Sequence, residues 1–470
     1  MFDQPRWHRE AWIPLVAGLV WLWSAASFGL VGFLFSVIPG CMLLASGVSL
    51  LLYPGDRRIP QIAALGGLLG VPLAVPALFV AGPGTGLLLI ALSAASFVAA
   101  GAISVTQEPH FEDVPAPEPS LQLCAEVAAD DALLAFMGLA MPAPRPDDRR
   151  RVAGEVREAR ELYQARGWLE KPADYHRTPP PLGDGEARLT GRRLRGLSFE
   201  HLRFESGYEP HVDEPGRARW LSYGPNRTAH AWVLRHPGAE RPWLMCIHGY
   251  QMGSPAVDLA AFQAARLHHG LGLNLVLPAL PLHGLRKVGR ISGDGFLSGD
   301  FLDSVHAEAQ AMWDLRRILA WVRAQGAPRI GVHGLSLGGY NTALLASLDD
   351  ELACAIPGIP ATDFTRLTWR HGPPLQLRMA EHHGLVHDAA AEVSQVVSPL
   401  ALEPRVPFEH RAIFGAVSDL LVPPDQVRDL WRHWGRPRSV WYQGSHISFR
   451  LHPEVNALFL DTLRGAGLIL

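Results

Sequence analysis

Nothing constrains this chain more than two long stretches without a charge. No Asp, Glu, Lys or Arg occurs between Glu10 and Asp56, and none from Ile59 to Gln107. Crossing a bilayer takes about 20 apolar residues, so each stretch has room for two crossings and a turn. Turns are expected at Ile38-Pro39-Gly40 and at Gly82-Pro83-Gly84, giving helices near 12–36, 38–54, 60–80 and 86–105. A cleaved signal peptide has an apolar segment of only about 7–15 residues, and soluble cores do not run this far with charge at a single break. Residues 1–105 therefore read as an all-α transmembrane region of four helices.

The basic residues orient it. Arg6 and Arg9 precede the first span, and Arg57 and Arg58 lie between the second and third. With an even number of spans, these arginines and the C-terminal part share one side, which the positive-inside rule makes cytoplasmic. A bacterial inner membrane with an inward-facing soluble part is the expected location. The spans carry no acid, base or histidine, so they lack the signs of a transport path or proton relay. Anchoring in the lipid bilayer is the simpler role.

Beyond the anchor, 106–188 forms a linker and helical region. It opens on the acidic, proline-rich "QEPHFEDVPAPEPS", continues with an apolar helical segment at 121–141, and then shows the mixed charges of a solvated helix. The net charge of −3 and the lack of a basic run backed by aromatics argue against nucleic acid as a partner. Cys41, Cys124, Cys246 and Cys354 are scattered and read as packing residues. The His pairs at 268–269 and 382–383 have no ligand spacing beside them, so neither a metal nor a cofactor is expected. Asn226-Arg227-Thr228 matches a glycosylation acceptor that a cytoplasmic domain would leave bare.

From about 189 the pattern changes to strands alternating with helices, as in a mostly parallel sheet covered on both faces. Within it lies "GVHGLSLGGY". Gly334-Leu335-Ser336-Leu337-Gly338 follows a strand pattern and precedes a helical one, the context in which Gly-x-Ser-x-Gly presents a serine on a sharp turn. Serine attacks carbonyls poorly unless a base removes its proton. Two later loops supply candidates, Asp419 after the strand "RAIFGAV" and His446 after "SVWYQG". His446 would act as general base and then acid, with Asp419 orienting it. An oxyanion needs two N–H donors: the amide of Leu337 and one from the loop after "LMCIHGY", either Tyr250 or Gln251. His248, Gly249, Gly334 and Gly338 would shape the site.

On these motifs, 189–470 resembles the α/β-hydrolase superfamily, and Gly339 after the serine turn is similar to its dienelactone-hydrolase and prolyl-oligopeptidase branches. The resemblance implies the order Ser336, Asp419, His446, a small cap near 364–400 and hydrolysis of carboxylic esters through an acyl-serine. Lipid-like esters would suit the anchor. Asp363 is the alternative acid, since some members place it after the preceding strand; Asp425 reads as a helix start. His283 and His333 read as structural neighbours of the site. Two rival functions stand beside the esterase: a serine peptidase of the prolyl-oligopeptidase type, and an inactive membrane-bound interaction protein on the same fold.

Overall fold

The computed structural model describes residues 7–25, 27–140, 146–183, 185–238, 240–297 and 300–470. The chain divides into two compact units. One comprises Met1–Met141 with Gly415–Asp425 and Trp441–Pro453; the other comprises Pro142–Phe414 with Gln426–Val440 and Glu454–Leu470.

In the first unit the apolar stretches form α1 (Trp12–Ala25), α2 (Gly29–Leu52), α3 (Arg58–Ala74), the single turn α4 (Ala77–Val80) and α5 (Pro83–Gln107). This corrects the expectation of four spans: among the described residues two helices, Gly32–Leu52 of 21 residues and Pro83–Gln107 of 25, are long and apolar enough to cross a membrane. Ile38-Pro39-Gly40 does not turn but lies within α2. The chain reverses earlier, at Gly29, whose φ of 67° is open to glycine at little steric cost. That leaves α1 only 14 residues long, about 21 Å at 1.5 Å per residue, short of a hydrocarbon core of about 30 Å. The third expected helix is broken at Val75-Pro76 between α3 and α4. Arg6, used to orient the spans, lies outside the described residues.

A sixth helix, α6 (Leu121–Ala140), packs on α3 and α5 through a seam of small residues: Ala63, Ala64, Ala100, Ala128, Ala132 and Ala135. Small side chains let helix backbones approach closely. A Cβ on Gly101 of α5 would stand 1.9 Å from the Cys124 carbonyl oxygen of α6.

The second unit begins with α7 (Pro146–Ala165). Its strands are β1 (Arg188–Leu194), β2 (Leu197–Glu205), β3 (Thr228–Leu234), β4 (Trp243–Ile247), β5 (Asn274–Ala279), β6 (Ile330–Leu335) and β7 (Cys354–Gly358), with the first three residues of β8 (Ala412–Ala416) and of β9 (Arg438–Tyr442); the last two residues of each are counted with the first unit. The order is β1-β2-β3-β5-β4-β6-β7-β8-β9. Strands β1, β2 and β3 pair antiparallel, and β3 is antiparallel to β5; β5, β4, β6, β7 and β8 run parallel. Every residue of β4, β5, β6 and β7 is buried, as expected of strands covered on both faces.

The remaining helices are α8 (Arg217–Ser222), α9 (Pro255–Ala261), α10 (Phe301–Ala324), α11 (Leu337–Leu348), α12 (Phe364–His371), α13 (Pro374–His382), α14 (His387–Ser394), α15 (Pro424–His433) and α16 (Pro453–Gly465). Three short ones, α12, α13 and α14, occupy the stretch where a cap is expected. Helix α7 is tied to its unit by charge: Glu155 receives Arg219 at 2.6 Å, and Arg151 reaches Asp300 at 2.7 Å. Arg219 also holds Asp303 at 2.9 Å.

Candidate active site

Ser336 stands where β6 ends and α11 begins, with φ 58° and ψ −115°. A positive φ is costly for a residue carrying a Cβ and persists only where the surroundings enforce it. Here the Ser336 N–H donates to the Gly358 carbonyl at 2.9 Å, and the Ser336 carbonyl accepts from Tyr340 N at 3.0 Å. Space is enforced equally. A Cβ at Gly334 would lie 2.1 Å from the Gly338 oxygen, and one at Gly338 would lie 1.8 Å from the Ile247 oxygen. Both glycines are therefore required by close backbone approach, and Ser336 itself remains half-buried rather than sealed.

The loop after β4 passes beside this turn. A Cβ at Gly249 would lie 3.2 Å from the Leu335 oxygen and 3.6 Å from Ser336 Cβ. His248 locks the loop. Its Nδ1 bonds the Gly249 carbonyl at 2.8 Å and its Nε2 accepts from Leu280 N at 3.0 Å. That pattern is a neutral imidazole with the proton on Nδ1, and burial pulls its pKa down to about 4. Gln251, in the loop after β4, adopts a φ of 62°, and Leu337 opens α11 directly after Ser336. The Tyr250 ring packs edge-on to His283 at 5.8 Å. His283 is buried and held neutral, its pKa drawn down to about 3 by burial and by His248. His333 is also buried, and its Nδ1–H donates to the Ile356 carbonyl, 2.7 Å away, a packing role.

In the first unit, His446 and Asp419 form a pair. His446 Nδ1 lies 2.6 Å from Asp419 Oδ2, and Asp419 Oδ1 accepts from Val422 N at 2.7 Å. Both side chains are buried. Burial disfavours the imidazolium, but the charge and hydrogen bond of Asp419, then the charge of Asp130, outweigh it and raise the His446 pKa. Asp363, the alternative acid, is engaged elsewhere. It caps α12, accepting from Arg366 N at 2.9 Å, and pairs with the Arg366 guanidinium at 3.0 Å.

One residue absent from the expected set belongs with His446. Asp130 of α6 accepts from His446 N at 2.9 Å and from Leu420 N at 3.3 Å through one oxygen. The sequence did hold a signal: Glu126, Asp130 and Asp131 interrupt an otherwise apolar helix, and Glu126 and Asp130, four residues apart, share one face. Among the described residues no group of His, Cys, Asp and Glu has the makings of a metal site.

The strand order, with its antiparallel β1–β3 and parallel β4–β8, and the serine turn after β6 define an α/β-hydrolase fold. No family model matches the chain. It is 42% identical over 362 residues, covering 76% of this chain and 86% of the relative, to the uncharacterized protein Rv2627c of Mycobacterium tuberculosis, and it belongs to that protein's family. The uncharacterized protein MT2702 of another strain of that species matches to the same extent, 42% over 362 residues. Among solved structures, an acetyl xylan esterase from Paenibacillus sp. R4 is similar at 16% identity and a TM-score of 0.43, over 62% of this chain and 98% of the other. A Pyrococcus horikoshii acylaminoacyl peptidase is similar at 16% identity and a TM-score of 0.36, over 61% of this chain and 42% of the other.

Proposed function

We propose that the protein is a membrane-anchored serine hydrolase that cleaves carboxylic esters. Ser336 attacks the acyl carbon while His446 takes its proton; the tetrahedral oxyanion is held by the amide of Leu337 and one from Tyr250 or Gln251. Collapse of that intermediate expels the alcohol, protonated by His446. Water, activated by the same imidazole, then releases the acid from acyl-Ser336. Asp419 fixes the Nδ1–H tautomer and stabilises the imidazolium.

The observation that carries this reading is the backbone at Ser336: a positive φ between a buried parallel strand and a helix, with glycines demanded on either side. The Asp419–His446 pair at 2.6 Å supports it independently. The apolar helices of 21 and 25 residues support anchoring, and a site kept at the bilayer favours esters with an acyl chain or lipid character. The anchor would place the catalytic part on the cytoplasmic side.

Fluorophosphonate labelling of the detergent-solubilised protein tests the chemistry. Wild type should label, and Ser336→Ala and His446→Ala should not. A folded wild type that stays unlabelled by both a bulky and a small phosphonate would leave an inactive interaction protein as the better reading. Extraction of membranes with alkaline carbonate tests the anchor: the protein should remain in the pellet.

A further inference from the structure

We infer that Asp130 of α6 is a positioning residue for the acid–base pair, so that a helix packed on the apolar N-terminal helices holds the loops bearing Asp419 and His446. This rests on the reading of His446 as general base. The geometry is specific. One carboxylate oxygen bridges two backbone amides from different loops, His446 N at 2.9 Å and Leu420 N at 3.3 Å. His446 is the base itself, and Leu420 follows Asp419 directly. Asp130 is fully buried, and among the described residues its other oxygen has no hydrogen-bond partner. Burying a carboxylate in this way is costly unless its bonds are needed in place.

The same helix grips the second loop again. Glu126 lies 3.4 Å from His452 Nε2, and a Cβ on Gly444 would meet Glu126 Oε2 at 2.7 Å. Leu123 and Val127 of α6 share a buried cluster with Leu420 and with Val105 of α5. Residues of one helix thus touch both loops, while its alanine face is committed to α3 and α5.

Asp130 also sets charge. The groups facing His446 are Asp419 from the loop after β8 and Asp130 from α6. Tyr442 of β9 is buried against Asp419, Asp130 and Glu126, its phenol pushed far up by burial and by those carboxyls. Asp131 lies next along α6, bonded to Ser104 Oγ at 2.6 Å and influenced by Asp130 and Glu108. Burial, then the charge of Asp419, raises the Asp130 pKa, while the imidazolium of His446 favours its charged form. When ionised, Asp130 adds to Asp419 in favouring an imidazolium at His446.

Hydrogen exchange and labelling kinetics on the full chain in detergent test this, with Asp130→Ala and Asp130→Asn beside wild type. Ala removes the acceptor; Asn keeps an acceptor oxygen and removes the charge. Exchange in peptides spanning 415–425 and 441–452 should rise about tenfold or more in Ala and stay near wild type in Asn. Phosphonate labelling of folded protein should fall about 100-fold in Ala. In Asn it should hold within about threefold at high pH, with its acid limb displaced to lower pH by about half a unit or more. Unchanged exchange in Ala, or an unmoved acid limb in Asn, overturns the inference. Should Ala fail to fold, the Asn limb decides alone. A wild type that does not label overturns the proposed function instead, while the exchange result still decides whether Asp130 holds the loops.

Discussion

Asp419 and Asp363 both follow core strands, yet only the first touches an imidazole. Asp419 lies 2.6 Å from His446, whereas Asp363 is spent on Arg366 and the start of α12. Asp419→Asn should slow ester turnover by about 10⁴-fold, because the wrong imidazole tautomer would face the serine. Asp363→Asn should stay within about threefold; a large loss there would reassign the acid. The pH profile follows from the His446 environment. Its pKa is raised above the ordinary 6.5, and an imidazole in the proposed role of general base would work only when neutral. Labelling rates should therefore fall with acid through a midpoint above 6.5, the value for a free imidazole. A midpoint below that would contradict the carboxylate surroundings described here.

At the scale of elements, local signals and long-range ones were unequally legible. The serine turn could be read from the sequence because the strand, the glycines and the helix lie within a dozen residues. The pairing of Asp419 with His446 could be read from their order after successive strands. The breaks in the apolar region could not, because Pro39-Gly40 and Gly29 are equally good turn residues on paper. Packing decides between them, and α2 runs straight through Pro39. An interior proline removes one helical hydrogen bond and crowds the preceding turn, at about 3 kcal/mol or more in water. Pro39→Ala should therefore raise the thermal midpoint; a fall would imply that a turn is needed there. Asp130 was missed for a related reason, since a carboxylate's partners at positions 420 and 446 are distant in sequence. Helix α7 offers a second check. Arg219→Ala removes the guanidinium shared by Glu155, Asp300 and Asp303, leaving Arg151 to the first two and the Tyr223 hydroxyl to the third, and should cost roughly 1–2 kcal/mol in chemical denaturation.

Over the whole molecule, three buried histidines give one part of the stability a definite dependence on acid. His248, His283 and His333 are buried and held neutral, with pKa values drawn down to about 4, 3 and 4, in each case chiefly by burial. On unfolding they return to about 6.5 and bind protons that the native state refuses. Their contribution is complete above about 6.5 and disappears as pH falls through about 4. Asp130 and Asp258, whose carboxyls burial holds up to about 7, oppose this trend, so the histidine contribution is read by difference: each of the three His→Gln variants should lose less stability than wild type as pH falls from about 6.5 to about 4. At this scale the α/β-hydrolase architecture was legible from alternation and motif. The division into units was not, because residues 415–425 and 441–453 group with the N-terminal helices through contacts that no local pattern announces.

The bridge made by Asp130 reads backbone amides and no side chain of the loops it holds. For this bridge position 420 need only present an N–H, its leucine side chain being tied separately to Leu123 and Val127, whereas position 130 must present an acceptor oxygen. Among descendants of one ancestor, the bridge then constrains an acceptor at position 130 without naming any side chain in the loops nearly 300 positions downstream. A comparison of related chains that looked for constraint only around the serine, the acid and the histidine would pass over it.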